Sequence, residues 1–335
     1  MTSVPLSVLD LAPVAEGTDN ATALAQTTAL ARRTEELGYH RFWVAEHHNM
    51  PGIASSAPAV LIAHLAAATS TIRLGSGGVM LPNHAPLVVA EQFGTLVALH
   101  PGRIDLGIGR APGTDQITAL ALRRSVDALS AEDFPQELAR LIGYFAGDNR
   151  IVAVPGAGNE PAVWLLGSSG FSARLAGELG LPFSFAHHFS AANTDLALDL
   201  YRSEFRPSRW LAEPYAMVAV NAVCAETDER AEWLAGPSGL AFLRLRQGRP
   251  GRLPTPEQAA EYPYSPVERE FVLARREGQA LGSPETVAAQ LTALLKRTMA
   301  DELMLTTMVY DIEARIRSYE LIAERVRPKL PSSPV

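Results

Sequence analysis

Residues 72–109 read IRLGSGGVMLPNHAPLVVAEQFGTLVALHPGRIDLGIG. Two short apolar runs, at 72–81 and 103–109, enclose a stretch at 85–102 whose apolar spacing is typical of a helix. The two runs are apolar almost throughout rather than alternating, as expected for parallel strands that are covered on both faces. The segment therefore predicts a β-α-β unit with a buried parallel sheet.

The same unit recurs along the rest of the chain. Each of eight apolar runs is followed by an Ala- and Leu-rich stretch with helical spacing. The runs occupy residues 5–11, 41–47, 72–81, 103–109, 162–167, 182–188, 215–225 and 301–309. Eight strand–helix units predict an α/β protein with the (β/α)8 TIM-barrel fold, built as a single domain over residues 1–335.

Two segments depart from this repeat and are predicted to be insertions. Residues 111–161 follow the fourth strand, and we expect a helix near 131–146 and a short strand at 150–154. Residues 248–283 lie between the seventh and eighth strands and are rich in Pro, Gly, Tyr and charge. Irregular segments of this length are typically functional or mobile, so 248–283 is predicted to form a mobile lid over the C-terminal mouth of the barrel.

Composition excludes several classes of partner. The chain of 335 residues is 47% hydrophobic and 19% charged, and its formal charge of −7 is spread without blocks of one sign. We therefore predict no nucleic-acid or membrane partner, and neither a signal peptide nor a membrane span is recognisable. The single cysteine, Cys224, lies in an apolar run and is predicted to be a buried structural thiol, which suits a cytoplasmic location.

Two strand ends carry features that suit an anion. Gly167, Ser168 and Ser169 join a strand to a helix that contains Ser172, so backbone N–H groups and hydroxyls meet at a helix N-terminus. The alternative is an ordinary N-cap by one of the serines. Arg110 lies between glycines at the end of the fourth strand and either approaches a phosphate or makes a structural ion pair. The GIGRAPG stretch lacks the spacing of a dinucleotide-binding fingerprint.

The second strand ends in WVAEHHNMP, residues 43–51. Adjacent side chains of an extended chain point to opposite faces, so His47 and His48 cannot both bind one ion. Glu46 and His48 could do so, with Asp10 and His187, but no H-x-H or H-x-x-x-H spacing is present and we predict no metal. Glu46 and Asp10 form the only obvious carboxylate pair for a glycosidase, which we disfavour. His47 is predicted to be an acid–base group, with satisfied rim histidines as the alternative. Four further residues are predicted to shape the site: Asp10, Glu46, His48 and His187.

Together these strand ends resemble the bacterial luciferase-like, FMN-dependent monooxygenase family, in its single-chain branch. The resemblance rests on LGYHRFWVAEHHNMP, on the 72–113 stretch, on LLGSSGFSARLAGELGLPFSFAHHF and on DELMLTTMVYDIEARIRSYELIA. It implies that His47 handles protons and the flavin hydroperoxide, and that Gly77 and Gly78 lie behind the flavin ring, where the family often has a non-proline cis peptide. It also implies that Arg110 and the cradle of Gly167, Ser168, Ser169 and Ser172 bind the FMN phosphate.

The implied reaction uses reduced FMN and O2 to oxygenate a small hydrophobic substrate through a C4a-peroxyflavin, for example a secondary metabolite such as an aromatic polyketide. The resemblance also implies a homodimer and a separate flavin reductase that supplies FMNH2. Gly109 stands where bacterial luciferase has a cysteine, which makes aldehyde-luciferase chemistry itself less expected. The alternatives are an F420-dependent hydride-transfer oxidoreductase and a non-catalytic flavin-binding protein on the same fold.

Overall fold

The computed structural model describes residues 3–111, 115–122 and 133–331. Eight parallel strands close into a barrel in the order β1-β2-β3-β4-β5-β6-β7-β9, with β9 pairing back to β1. A short ninth strand, β8, pairs in parallel with the end of β7. The strands are β1 Leu6–Asp10, β2 Arg41–Val44, β3 Arg73–Met80, β4 Ile104–Gly109, β5 Ala162–Gly167, β6 Phe183–Phe185, β7 Ala216–Cys224, β8 Ala280–Gly282 and β9 Glu302–Thr306. The predicted (β/α)8 barrel is confirmed.

Helices follow the barrel strands and cover the outside of the sheet. They are α1 Asn20–Glu36, α2 Pro58–Ala68, α3 Pro86–Leu99, α4 Gln116–Leu122, α5 Phe134–Ala146, α6 Gly170–Leu179, α7 Thr194–Glu204, α8 Asp228–Arg246, α9 Pro256–Glu261, α10 Pro266–Arg276, α11 Pro284–Thr298 and α12 Ile312–Leu321. Several begin at a side chain that caps the first turn, as Asp19 does for α1 and Asp311 for α12. Within the described part of the chain, no helix is both long and apolar enough to cross a membrane.

The strands divide their side chains between two cores, because successive residues point to opposite faces. One face packs on the helices and forms the large outer core, with Val8, Phe42 and Val44 among its buried members. The other face points into the barrel, where Leu9, Trp43 and neighbouring side chains form a smaller apolar layer. This two-residue alternation decides which side chain of each strand end enters the mouth.

Charged residues close the N-terminal end of the barrel. Arg41 lies between two buried carboxylates, 2.8 Å from Asp105 and 3.0 Å from Glu302. The Trp43 indole N–H donates to Asp105 at 3.0 Å, and the Tyr215 hydroxyl donates to Glu302 at 2.9 Å. Space inside the barrel is therefore left only toward the C-terminal ends of the strands.

Two expectations about the insertions need correction. The 150–154 stretch is not a strand: Ile151, Val152 and Val154 are all more than half exposed and have no strand neighbour to pair with. The 248–283 segment is less irregular than expected, because it holds α9, α10 and β8, and both helices begin with capping boxes. Its mobility remains a prediction. The expected helix near 131–146 is present as α5, with residues 131 and 132 outside the described range.

The 248–283 segment, called the lid segment after its predicted role, is attached to the loop after β1. The backbone N–H of Leu253 donates to Val14 at 2.9 Å, and the Glu16 N–H donates to Leu253 at 2.8 Å. Gln258 of α9 donates to the Glu16 carboxylate at 2.6 Å. Cys224 is buried, as predicted, and burial raises the pKa of its thiol to about 12.

Candidate active site

A cavity of about 350 Å³ opens at the C-terminal mouth of the barrel. This size lies within the range of small-molecule sites. Most of its lining is apolar and comes from the barrel strands, from the loop after β2, from α8 and from the lid segment. The apolar lining includes Leu9, Leu11, Ala45, Met50, Ile53, Met80, Leu166, Phe189, Phe242, Leu245, Leu253 and Met308.

One wall of the cavity is a surface without side chains. Gly77 and Gly78 line it, the peptide bond between them is cis, and the pairing of β3 with β4 shifts register at this point. A Cβ added at Gly77 would lie 2.6 Å from Leu9 Cδ1, and one at Gly78 would lie 2.5 Å from Leu166 Cδ1. Leu9 could move away from a side chain at Gly77, but a Cβ at Gly78 would also lie 2.7 Å from the backbone carbonyl oxygen of Gly107, which cannot. The two glycines leave a wall smooth enough to receive a flat ring.

Arg110 and the start of α6 meet at the same cavity. Arg110, Ser168, Ser169 and Ser172 all line it. The Arg110 guanidinium lies over the Phe171 ring, with its central carbon 4.2 Å from the ring centroid. Ser169 is the N-cap residue of α6, yet its side chain makes no capping hydrogen bond. The first-turn N–H groups are thus not satisfied by that hydroxyl, which favours an anion site over an ordinary N-cap.

His47 enters the cavity because of the alternation along β2. Arg41, Trp43 and Ala45 point into the barrel, and His47 is the next residue in that series. Its Nδ1 is buried without a hydrogen-bond partner among the described residues. Burial lowers the pKa of His47 to about 4, so the imidazole is neutral at pH 7 rather than titrating there as the sequence suggested.

Glu46 points the other way and holds the loop after β3. Its carboxylate hydrogen-bonds with His48 at 2.9 Å and with His84 at 2.9 Å, and accepts from the Met80 N–H at 3.1 Å. Burial would raise the pKa of Glu46, but the hydrogen bonds from the two histidines and Met80 outweigh it and lower the pKa. Glu46 and His48 therefore fix the loops on either side of His47 and do not line the cavity.

Two predicted site residues point away from the cavity, and alternation explains both. Asp10 belongs to the outward series of β1, where it pairs with Arg315 of α12 and accepts from Thr27 at 2.6 Å; Leu9 and Leu11 line the cavity instead. His187 is buried against Thr194, 2.7 Å away, whereas its neighbour His188 lines the cavity. Asp10 and His187 therefore do not line the cavity, and their role in shaping the site remains a prediction.

The polar cavity residues that were not predicted include His188, Asn221 and Arg275. His188 hydrogen-bonds through Nδ1 with the carbonyl of Ala219 at 3.0 Å, and burial lowers its pKa to about 4. Asn221, on β7, has a buried Nδ2 that lacks a partner among the described residues. Arg275 reaches the cavity from α10. Asn221 lies in the inward series of β7 and could have been found by counting residues; Arg275 depends on where the lid helix lies, which no local pattern shows.

The described residues contain no group of three or more His, Cys, Asp or Glu side chains suited to a metal ion. A sequence model of luciferase-like monooxygenases matches residues 4–302. The chain therefore belongs to the luciferase-like monooxygenase family.

Individual relatives extend over almost the whole chain. A luciferase-like monooxygenase of Escherichia coli K12 is 48% identical over 95% of this chain and 96% of its own length. The N-acetyl-S-alkylcysteine monooxygenase of Bacillus subtilis is 36% identical, over 96% of this chain and 98% of its own. The crystal structure of apo-MsnO8 is 40% identical, with a TM-score of 0.91 over 98% of this chain and 99% of that one.

More distant structures share the fold alone. The oxygenating constituent of 3,6-diketocamphane monooxygenase from Pseudomonas putida, solved with FMN, has a TM-score of 0.74 at 20% identity and covers 99% of this chain and 100% of its own. An F420-dependent secondary alcohol dehydrogenase has a TM-score of 0.69 at 14% identity, over 99% of this chain and 100% of its own. Enzymes of both cofactor classes therefore occur on this barrel.

Proposed function

We propose that this protein is a flavin-dependent monooxygenase that uses reduced FMN and O2 to oxygenate a small hydrophobic organic substrate. One observation carries the proposal: a single mouth cavity combines a cationic corner at a helix N-terminus, a wall without side chains and a neutral imidazole with an unpaired nitrogen. These are complementary to a phosphate, a flat ring system and a polar reacting group, respectively.

The residues present fit FMN. Arg110 would hold the phosphate from one side while the N-terminus of α6, with Ser168, Ser169 and Ser172, holds it from the other. Gly77 and Gly78 would lie against the ring. When bound, reduced FMN supplies the electrons that activate dioxygen.

His47 would hold a hydrogen bond at Nδ1 with the reacting group. Because its imidazole is neutral, it brings no charge into the apolar cavity. An anionic group bound beside Nδ1 would raise the pKa of His47 again, so the residue would retain a proton from that group more readily in the loaded site than in the empty one.

The apolar lining would exclude water and select the substrate. Leu11, Met50, Phe242 and Leu253 surround the space that the smooth wall leaves open. A hydrophobic molecule fits such a surface, and a secondary metabolite such as an aromatic polyketide is one example. A relative 36% identical is named as a monooxygenase of N-acetyl-S-alkylcysteine, which supports an oxygen-transfer reaction on an organic molecule.

The test combines binding and turnover. Titration with FMN and with F420 compares the two cofactors, and oxygen uptake with chemically reduced FMN and a metabolite panel measures coupled oxygen transfer. We expect FMN to bind more tightly, and His47→Gln to abolish coupled transfer while FMN remains bound. Coupled transfer at the wild-type rate in His47→Gln would remove His47 from the mechanism, and preferential F420 binding would favour the hydride-transfer alternative. A protein that binds FMN but transfers no oxygen would be a flavin-binding protein.

Two partners complete the proposal. The proposal assigns no part of the cavity to NAD(P)H, so a separate flavin reductase would supply FMNH2 in the cytoplasm.

A homodimer would cover exposed apolar residues on the helices after β2 and β3, where Val60 is 70%, Val88 is 44% and Leu99 is 65% exposed. Sedimentation analysis of the wild type and Val60→Asp tests the proposed dimer interface by measuring the oligomeric state. A dimer that persists in the variant would place the interface elsewhere.

A further inference from the structure

Arg275 is a half-buried cation that has no counter-ion among the residues that the structure describes. It lies on α10, lines the mouth cavity, and has a buried Nε without a hydrogen-bond partner in that part of the chain. Across the described ranges, no carboxylate lies within ion-pair distance of its guanidinium, whereas the adjacent Arg276 pairs with Glu232 at 3.5 Å. Burial lowers the pKa of Arg275 to about 10, so the side chain still carries its charge at neutral pH.

The protein holds this charge in place with an aromatic ring. The guanidinium carbon of Arg275 lies 4.2 Å from the centroid of Phe242 on α8, and Phe242 stacks in turn on Phe271. A cation–π contact orients a guanidinium but offsets only part of the cost of burying it. A partly desolvated guanidinium that has no carboxylate partner in the described part of the chain is suited to a partner that arrives with a ligand.

The position of Arg275 separates it from the proposed phosphate cradle. Arg275 packs on Phe242 of α8, the helix that follows β7, and lines the same cavity as His188. His188 is bonded to Ala219 of β7, and Asn221 is the next inward residue on that strand. Arg275 therefore belongs to the wall above β6 and β7, whereas Arg110 and the α6 N-terminus follow β4 and β5.

We propose that Arg275 binds an anionic oxygen group, a carboxylate, on the organic substrate. With the phosphate on the β4–β5 side and the ring against Gly77 and Gly78, the wall above β6 and β7 is left for the second ligand. A guanidinium recognises a carboxylate through paired N–H donors, and the unpaired Nδ2 of Asn221 offers another donor in the same cavity. The substrate class is thus a hydrophobic acid. The inference rests on the proposed function, which supplies the first ligand.

The test compares acids with their uncharged analogues. Octanoate, 4-phenylbutanoate and 2-naphthoate are titrated by calorimetry into the FMN-loaded protein, each beside its primary amide, in wild type, Arg275→Gln and Arg276→Gln. We expect at least one acid to bind the wild type at least tenfold more tightly than its amide. Arg275→Gln should abolish that preference, and Arg276→Gln, which removes a charge from the same helix outside the cavity, should retain it.

Three outcomes would overturn the proposal. The first is that no acid binds more tightly than its amide; the second is that Arg275→Gln keeps the preference. The third is that Arg275→Gln weakens FMN or F420 tenfold without changing acid binding, which would assign the cation to the phosphate or acidic tail of a cofactor. Failure of the proposed function would instead appear as a wild type that does not bind FMN or transfer oxygen, so the two failures are distinguishable.

Discussion

The two cavity histidines should make the protein lose stability steeply in mild acid. His47 and His188 have an ordinary pKa of 6.5, which burial lowers to about 4 in the folded protein. A group whose pKa is lowered by folding contributes its full stabilisation of the folded state at pH values above its unfolded pKa. That contribution is lost as the pH falls from 6.5 toward 4. At pH 5.0 the free energy of unfolding should be lower than at pH 7.5 by about 2 kcal/mol for each residue and by about 4 kcal/mol for the pair, since one pKa unit is worth about 1.36 kcal/mol.

The measurement is the free energy of unfolding in urea at pH 7.5 and pH 5.0. His47→Asn and His188→Asn should each reduce the pH-dependent loss by about 2 kcal/mol, and the double variant by about 4 kcal/mol. His64→Asn, which removes an exposed imidazole from α2, should leave the loss unchanged. A double variant with the wild-type pH dependence would refute the claim that these two side chains are buried in the neutral form.

Three further predictions concern the cofactor wall, the phosphate corner and the barrel floor. Arg110→Gln should weaken FMN binding about thirtyfold, or by about 2 kcal/mol after desolvation. It should leave riboflavin binding unchanged in fluorescence titrations, because riboflavin has no phosphate. Equal losses of affinity for both ligands would contradict the phosphate role. Gly78→Ala should lower the melting temperature and FMN affinity, since its Cβ would lie 2.7 Å from the backbone carbonyl oxygen of Gly107, whereas Gly251→Ala meets nothing within 4 Å and should be near neutral. Arg41→Met should cost about 3–5 kcal/mol of unfolding free energy in urea because the buried Glu302 carboxylate loses its cation, whereas Asp105 keeps Arg73; FMN affinity in the folded protein should stay unchanged.

Sequence periodicity was sufficient for the barrel and for the residues nearest the strand ends. His47 lines the cavity because strand alternation separates it from Glu46 and His48. The same alternation, counted from Leu9 and from Ser184, puts Asp10 outside the cavity and His188 rather than His187 inside it. Treating whole strand ends as inward-facing does not separate these neighbours.

Other features depend on contacts that no local pattern contains. The barrel floor is formed by Arg41, Asp105 and Glu302, which are spread over 261 positions of sequence. These residues come together only when β2, β4 and β9 take their places in the closed barrel. The sequence does not distinguish Arg275 from other arginines on amphipathic helices, because its contact with Phe242 depends on how α10 packs. The two helices in the 248–283 segment were also missed, because its prolines were interpreted as breaks although Pro256 and Pro266 begin helices.

The closed floor of the barrel has a kinetic consequence. Asp105, Glu302 and Trp43 are fully buried, so ligands would reach the cavity from the C-terminal side of the barrel. In the proposed reaction, the ligand at the inner end of the cavity must bind before, and leave after, the ligand nearer the entrance. Steady-state kinetics of that reaction should therefore follow a compulsory order in which FMN binds first and leaves last, and an excess of the organic substrate should trap the oxidised FMN inside.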